Sequence, residues 1–270
     1  MAIITLSRGS YSKGKDVAEK VAARLGYDCI SREVLLEASK HFNIPEMQLT
    51  RAIHDAPSIL DRFQHSRQAY IAYIRSELTQ RVKSDNIVYH GLAGHILLKG
   101  VPHVLKVRIT ANLEDRIAAE MKRESIGENE ARVLLLKDDQ ERRKWTKSLY
   151  GVDPWDSSLY DLVIRIYKLR AEDAVDFICQ SAVLDQFKTT EVSRHRMQDL
   201  ALACHIKAAL VDQFSDVAVT SEYGNVIIYT KKPERSGNKL KKKIMALGEE
   251  IKGINNLEVH GGDSCPPQAV

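Results

Sequence analysis

The stretch that decides the fold of this 270-residue chain is Gly9-Ser10-Tyr11-Ser12-Lys13-Gly14-Lys15-Asp16. It has the pattern G-x-x-x-x-G-K, with Asp16 where a serine or threonine is usual. The β-branched run Ile3–Ser7 before it predicts a short buried strand. The apolar spacing over Asp16–Leu25 after it predicts an amphipathic helix that stops at Gly26. A loop of this pattern between a strand and a helix predicts a phosphate-binding site.

The residue types in this loop suit a phosphate group. Glycines allow backbone N–H groups to turn inward around phosphate oxygens, and the following helix presents its positive dipole end. Lys15 can reach between a β- and a γ-phosphate. The carboxylate of Asp16 would repel phosphate unless a metal ion or Lys13 lies between them. The structural alternative is a loop that binds nothing, in which Asp16 only favours the first turn of a helix.

Strand and helix patterns alternate along the first two thirds of the chain. Further β-branched runs lie at Asn86–His90, Val104–Ile109 and Leu162–Ile166, with helical patterns between them. This alternation predicts an α/β fold with a largely parallel sheet. A polar linker follows at Asp185–Ser193, and an α-β-β-α-β pattern comes after it. We therefore predict two domains, residues 1–187 and a small α+β domain over residues 188–270.

Composition and charge exclude several classes of protein. The 40 basic and 36 acidic residues give a net charge of +4, which indicates neither a basic protein that coats polyanions nor an acidic tail. The contents of 44% hydrophobic residues, 14 Gly and 7 Pro exclude global disorder, collagen and coiled coil. The four cysteines form no C-x-x-C pair, which favours a reducing compartment over a disulfide framework. No signal peptide or membrane span is predicted, so we expect a cytoplasmic protein.

On these motifs the sequence resembles the cytidylate-kinase-like family of P-loop nucleoside monophosphate kinases. Ser7–Ala18 is similar to the modified phosphate loop of the bacterial branch, and Asp28–Glu33 is similar to the family's D-R-E-I segment. The resemblance is most specific at Arg123-Glu124-Ser125 and over Lys137–Trp145. It covers roughly residues 1–184 and implies a P-loop kinase-like parallel sheet flanked by helices, with a helical lid.

The resemblance implies that the γ-phosphoryl group of ATP, with Mg²⁺, is transferred to a nucleoside monophosphate, with a pyrimidine such as CMP expected. This reaction needs alignment of two polyanions, charge neutralisation and a lid that excludes water. The alternative is a nucleotide-binding regulatory protein that has lost phosphotransfer. That alternative is favoured by Asp16 in place of Ser or Thr and by the lack of an acid after Ile87–Tyr89. It is also favoured by Leu92 or a neighbour in place of an arginine.

The resemblance implies roles for three groups of residues. The catalytic group is Lys15, Arg142 and Arg143, the arginines being lid residues suited to bidentate phosphate contact. The nucleotide-binding group is Gly9, Ser10, Tyr11, Ser12, Lys13, Gly14, Lys15 and Asp16, with Asp16 also the metal ligand. The acceptor-binding group is Arg32, Arg123 and Asp161.

Each of these assignments has a structural alternative. The lid arginines lie on a charged helical stretch in which the pairs Asp138–Arg142 and Asp139–Arg143 support one another at i, i+4. Asp161 is a candidate strand cap. His90 and His95 are candidates for a polar contact with phosphate or ribose, or hydrogen-bonded structural residues.

The segment after residue 187 resembles a BON domain. The turn and strand at Gly224–Tyr229 and the terminal strand at Ile254–Val259 carry the resemblance. It implies a module that binds a lipid, a small ligand or a protein partner and has no chemistry of its own. A basic helix face could meet anionic lipid or nucleotide or could simply be solvated, and it consists of Lys239, Lys241, Lys242 and Lys243. We expect small-molecule nucleotides as partners and no nucleic acid.

Overall fold

The structure is a computed structural model that describes residues 2–9, 13–31, 33–43, 67–91, 93–231, 242–243, 246, 251–262 and 265–270. Several residues of the sequence analysis lie outside the described residues: Ser10, Tyr11, Ser12, Arg32, Leu92, Lys239 and Lys241. The described chain forms two compact units. No helix within these ranges is long and apolar enough to cross a membrane.

The first unit contains a five-stranded sheet and the helices that cover it. Its strands are β1 (Ile3–Arg8), β2 (Asp28–Ile30), β3 (Ile87–Tyr89), β4 (Val104–Ala111) and β5 (Leu162–Ile166). Its helices are α1 (Gly14–Leu25), α4 (Gly94–Leu97), α5 (Leu113–Glu124), α6 (Glu128–Tyr150) and α7 (Ala171–Ala182). Short 3₁₀ turns lie at Ser157–Leu159 and Asp185–Phe187.

All strand pairs of this sheet are parallel, and the strand order is β2-β3-β1-β4-β5. On the central strand, Ile4 lies opposite Val88 on one side and Leu105 on the other. The sequences of these strands are largely continuous apolar runs, because helices cover the sheet. Helices α1 and α7 pack on one face of the sheet and share a core with it. The predicted α/β fold with a parallel sheet is confirmed.

Parallel pairing places the carboxyl ends of all five strands at one edge of the sheet. The loops that follow β1, β3, β4 and β5 therefore emerge on the same side, where ligands bind in open α/β sheets. The phosphate loop predicted from the sequence is the connection from β1 to α1. Helix α1 ends as predicted, because Gly26 adopts a left-handed conformation (φ 68°) and its N–H donates to the Ala22 carbonyl.

Helices α5 and α6 form a pair after β4, in the region predicted to be the lid. Ile117 of α5 packs against Ala131 and Leu135 of α6 in a small core of their own. The guanidinium of Arg116 donates two hydrogen bonds of 2.9 Å to the carboxylate of Asp139. Arg116 is buried, so this bidentate pair fixes α5 against α6.

The second unit combines two helices from the first half of the chain with the C-terminal segment. Its elements are α2 (Glu33–His41), α3 (Arg67–Val82), α8 (Glu191–Leu210), β6 (Ala218–Glu222), β7 (Asn225–Thr230) and β8 (Asn256–Gly261). Strands β6 and β7 are antiparallel, whereas β7 and β8 are parallel. Helix α3 packs along α8, and α8 packs on β6. The domain boundary at residue 187 and the likeness to a BON domain stay predictions.

Part of the predicted linker Asp185–Ser193 is the beginning of helix α8. The Thr190 hydroxyl accepts a hydrogen bond from the Ser193 N–H, and the Ser193 hydroxyl accepts one from the Thr190 N–H. This reciprocal cap satisfies two backbone donors that the first turn of a helix leaves without partners. The helix therefore begins at Glu191, inside the stretch predicted to be a linker.

Candidate active site

The phosphate loop is anchored at both of its ends. At the first end, the Gly9 N–H donates to the Ile109 carbonyl on β4 at 3.3 Å. At the second, Lys13 adopts a left-handed conformation (φ 61°), and its carbonyl accepts the first hydrogen bond of α1 from the Val17 N–H at 3.0 Å. The backbone N–H groups of Gly14 and Lys15 are in the first turn of α1, where helices offer donors to an anion.

Glycine is required at position 14 because the Arg8 side chain lies close to the backbone there. A Cβ atom at this position would lie 2.7 Å from Cβ and 2.9 Å from Cδ of Arg8. Only glycine therefore allows the Arg8 side chain to lie against the first turn of α1. Gly9 differs, because a Cβ atom there would meet no described atom within 4 Å.

Two predicted site residues, Lys15 and Asp16, lie on the solvent side of the first turn of α1. The Lys15 side chain is 65% exposed and its ammonium lies 3.6 Å from Glu19, which leaves it accessible to a ligand. The Asp16 carboxylate lies 3.1 Å from the Lys20 ammonium, which is also 2.6 Å from Glu172 of α7. Glu172 first and then Asp16 raise the pKa of Lys20. Lys20 thus offsets the negative charge that Asp16 brings to the loop.

The turn after β3 holds a buried histidine beside the phosphate loop. Gly91 and Gly94 lie against the Tyr89 ring, and Ala93 between them is left-handed (φ 56°). His90 is buried, and its Nδ1 has no hydrogen-bond partner among the residues that the structure describes. Burial lowers the pKa of His90, and the positive charge of Arg8 lowers it further. His90 is therefore a buried, neutral imidazole at the carboxyl edge of the sheet.

A second polar network fills the space beyond β4. The Tyr160 hydroxyl donates to the Pro154 carbonyl at 3.0 Å and lies 3.2 Å from His95 Nε2. Arg108 of β4 donates to the same carbonyl and lies over the Tyr160 ring. Burial lowers the pKa of His95 to about 4, with Lys106 and Arg108 acting in the same direction. His95 and Tyr160 thus have internal partners that hold the segment after α6 against β4.

The lid arginines have partners of different kinds. Arg143 donates to both carboxylate oxygens of Asp153 at 3.0 Å, and its guanidinium lies 4.2 Å from the centre of the Trp155 ring. Lys147 also lies 3.0 Å from Asp153, and the Arg143 contact above all holds the pKa of Asp153 well below its usual range. Arg142 lies 3.4 Å from Asp138, as the i, i+4 spacing predicted. The predicted pair Asp139–Arg143 is replaced by Asp139–Arg116 and Asp153–Arg143.

The structure gives internal contacts to the two acceptor-site residues that it describes. Arg123 lies 2.9 Å from Glu120 and 2.7 Å from Glu124, and all three residues are in the last turns of α5. The Asp161 carboxylate accepts a hydrogen bond of 2.8 Å from the Lys106 N–H, and the Asp161 N–H donates to the Lys106 carbonyl. Asp161 thus joins the start of β5 to β4. Acceptor binding by Arg123 and Asp161 stays a prediction.

The sequence interpretation did not single out Arg8 or Arg108. The sequence contains a signal for each, because Arg8 directly precedes Gly9 of the motif and Arg108 is a charged residue within the β-branched run Val104–Ile109. Ser7 and Arg108 lie opposite each other on β1 and β4, which brings the Arg108 backbone to the start of the phosphate loop. Pairing of strands distant in sequence is what brings these positions together.

The donor set suits a nucleotide that carries its own metal ion. Mg²⁺ keeps several waters and commonly takes one or two carboxylates together with substrate phosphates. Asp16 supplies one carboxylate beside the helix end that would hold the phosphates. Across the part of the chain that the structure describes, no group of three or more His, Cys, Asp or Glu could hold a metal ion by itself. The residues present therefore fit Mg²⁺ bound together with a nucleotide.

Comparison with known proteins places this geometry in a family. The model of the cytidylate kinase-like family matches residues 3–168. The chain is 27% identical over 173 residues to a cytidylate kinase of Sulfolobus acidocaldarius, covering 63% of this chain and 88% of that protein. It is 34% identical over 108 residues to a cytidylate kinase of Methanopyrus kandleri, covering 37% of this chain and 55% of that protein.

Among solved structures, an uncharacterized protein from Eubacterium ventriosum shares the fold. Its TM-score is 0.50 at 24% identity, over 67% of this chain and 98% of that chain. The phosphate loop, the parallel sheet and the paired helices after β4 all lie inside the matched residues 3–168. The chain belongs to the cytidylate kinase-like family.

Proposed function

We propose that this protein transfers the γ-phosphoryl group of ATP to a nucleoside monophosphate, with CMP as the expected acceptor. Support comes above all from the exposed Lys15 on the first turn of α1, at the carboxyl edge of a parallel sheet in a chain of this family. A lysine and the backbone N–H groups of a helix end can together neutralise the phosphates of a bound nucleotide. CMP is the expected acceptor because the relatives from Sulfolobus and Methanopyrus are cytidylate kinases.

Each side chain of the site has a role in this reaction. Lys15 and the α1 N–H groups would hold the donor phosphates, and Asp16 would share a Mg²⁺ ion with them. Arg8, at the end of β1, and His90, directly after β3, lie at the same edge of the sheet, and Arg8 would contact the acceptor phosphate. When bound, Mg²⁺ would neutralise charge on the β- and γ-phosphates. The protein's contribution is positioning and charge, as phosphoryl transfer requires.

The lid has to release an arginine for catalysis. Asp153 accepts hydrogen bonds from Nε and Nη2 of Arg143, and Trp155 lies against its guanidinium, so these two nitrogens are not open to a phosphate while the contacts persist. A transferring phosphoryl group is a stronger partner for a guanidinium than one carboxylate, because it offers more negative charge and more acceptor oxygens. We therefore expect Arg143 to exchange Asp153 for the nucleotide when the lid closes, with Arg142 next to it on α6 as a second candidate.

A panel assay tests the proposed reaction. Purified protein is given ATP and Mg²⁺ with CMP, dCMP, UMP, AMP or GMP, and formation of the diphosphate is measured. We expect turnover with CMP above the other acceptors, and a loss of about 100-fold or more in Lys15→Ala. Lys99→Ala, which removes an exposed lysine after α4, is the matched control and should retain wild-type turnover. Folded protein without turnover on any acceptor would contradict the proposal.

The second candidate is a nucleotide-binding regulatory protein without phosphotransfer. It is favoured by the partners that Asp16 and Arg143 already have, Lys20 and Asp153. Calorimetric titration with ATP and with CMP separates the two candidates. Binding of either nucleotide without turnover would support the regulatory protein, whereas binding with turnover supports the kinase.

A further inference from the structure

The second unit contains a cavity of about 870 Å³, which we call the hairpin cavity. Its wall is formed by the ends of α2 and α3, by α8, by the turn between β6 and β7, and by the segment before β8. Its aromatic and basic wall residues are His41, Lys83, His195, His205, Tyr223 and Lys252. None of the described residues of the phosphate site belongs to this wall. A volume of this size suits a ligand as large as a mononucleotide.

Tyr223 occupies the hairpin turn at a conformational cost. The turn has two central residues, Tyr223 (φ 50°) and Gly224 (φ 75°), between the paired residues Glu222 and Asn225. Two-residue hairpins with positive φ at both positions strongly favour Asn, Asp or Gly at the first. A bulky aromatic residue there is an outlier, and such outliers gather at ligand sites. The Tyr223 side chain is nevertheless 55% exposed, so burial of its ring does not explain it.

The turn is held rigidly in this conformation. The buried carboxylate of Asp199 accepts hydrogen bonds from the N–H groups of Tyr223 at 2.9 Å and Gly224 at 3.1 Å. From the other side, the Asn255 side chain donates to the Tyr223 carbonyl at 2.9 Å. A Cβ atom at Gly224 would lie 2.6 Å from the Gly253 carbonyl oxygen, so the two segments are in close contact. The Tyr223 ring is therefore presented in a fixed position, with the His195 ring 5.0 Å away.

The described wall of the cavity contains two lysines, Lys83 and Lys252, and two acids, Glu77 and Asp199. The two acids among these wall residues are engaged, Asp199 by the turn and Glu77 by His41 at 2.5 Å. The Lys83 ammonium has three donors, and one contacts the side chain of Gln80 at 2.5 Å. Lys252 is exposed, and it adds a second ammonium to the wall. The two acids thus already have partners within the second unit, and the two ammonium groups are the charges that a ligand's anionic group can meet in this wall.

We propose that the hairpin cavity binds a planar anion of mononucleotide size, whose ring stacks on Tyr223 and whose anionic group is bound by Lys83 and Lys252. Aromatic side chains with neighbouring cations bind nucleotides in this way without requiring a particular base. This binding does not depend on phosphoryl transfer, because its residues are separate from Lys15 and the phosphate loop.

Titration calorimetry of the full chain with AMP, adenosine and inorganic phosphate tests this site. AMP carries both the ring and the anion, whereas each of the other probes carries only one. We expect saturable AMP binding, with adenosine and inorganic phosphate each weaker by about tenfold or more. Equal binding of AMP and either partial probe, or no saturable binding of AMP, would overturn the proposal.

Tyr223→Asn is the decisive variant, since asparagine is favoured at its position in the turn and the fold should be retained. It should weaken AMP binding by about tenfold, because the stacking surface is lost. Tyr167→Asn, which removes an exposed tyrosine of the first unit, is the matched control.

Lys252→Gln is the second variant. It should weaken the binding of AMP but not the binding of adenosine. If Tyr223→Asn binds AMP as tightly as the wild type, AMP binds at the acceptor site of the kinase and not in the hairpin cavity, and the proposal is overturned. CMP turnover of the same variants reports the kinase site separately.

Discussion

At the scale of single residues, Gly14 links the phosphate loop to the sheet. Its missing side chain lets Arg8 of β1 lie against the first turn of α1. In Gly14→Ala the new Cβ would meet Arg8 Cβ at 2.7 Å, and because that atom is next to the backbone it cannot move away cheaply. We predict a loss of about 1–3 kcal/mol in the free energy of unfolding, measured in urea, and weaker ATP binding by calorimetry.

Gly9→Ala is the matched control for this substitution. It lies in the same loop, but its Cβ would meet no described atom within 4 Å and its φ is not positive. Its free energy of unfolding should stay within about 0.5 kcal/mol of the wild type. Equal effects of the two substitutions would show that loop flexibility, and not the contact with Arg8, is what Gly14 provides.

His95 makes the stability of the first unit depend on pH. Its pKa is about 4 in the folded protein, below the ordinary 6.5, because the ring is buried. As pH falls below 6.5 the unfolded chain binds the proton first. The stabilisation by the neutral ring is therefore present above pH 6.5 and is lost from there down towards pH 4. Between pH 7 and pH 5 we predict a loss of about 2 kcal/mol from this residue.

Denaturant unfolding at several pH values measures this effect. His95→Gln keeps a polar group near the Tyr160 hydroxyl and should flatten the profile between pH 7 and pH 5. Some dependence should remain, since burial also lowers the pKa of His90 and of His205. His260→Gln changes an exposed ring and should follow the wild-type curve. A His95→Gln profile as steep as that of the wild type would contradict the assignment.

At the scale of elements, the sequence predicted the strands of the sheet and missed some helix limits. Buried parallel strands are short apolar runs, so β1, β3, β4 and β5 could be located directly. The first turn of helix α8 was predicted to be part of a linker, because it is polar and is stabilised by the Thr190–Ser193 cap instead of apolar packing. Helix α6 ends at Tyr150, where Gly151 adopts a left-handed conformation (φ 69°).

The lid helix shows what local spacing cannot predict about a site. Spacing alone predicted an Asp139–Arg143 pair on α6, and Asp138–Arg142 forms as predicted. Asp139 is instead bound by Arg116 of α5, a partner 23 residues away. A buried bidentate arginine is a stronger partner for a carboxylate than a side chain one helical turn away. Arg143 is consequently directed to Asp153, which follows α6.

At the scale of the whole molecule, the matched family segment and the compact units do not coincide. Helix α3 lies inside residues 3–168, yet it belongs to the second unit with α8. Its Tyr73 hydroxyl donates to Asp212, and its Gln80 side chain donates to the Ala201 carbonyl at 3.3 Å. Neither contact could be predicted from the sequence, because each joins residues more than one hundred positions apart.

Truncation tests this dependence of the family segment on the C-terminal chain. A chain of residues 1–189 would expose the side of α3 that packs on α8, including Tyr73. Exposing one large apolar side chain costs roughly 1.5–3 kcal/mol, and several lose their cover together. We therefore predict that residues 1–189 aggregate or bind a hydrophobic dye, measured by size-exclusion chromatography and fluorescence, and that co-expressed residues 190–270 restore solubility. A monomeric truncated chain with full CMP turnover would instead show that the predicted boundary at residue 187 separates two domains that fold independently.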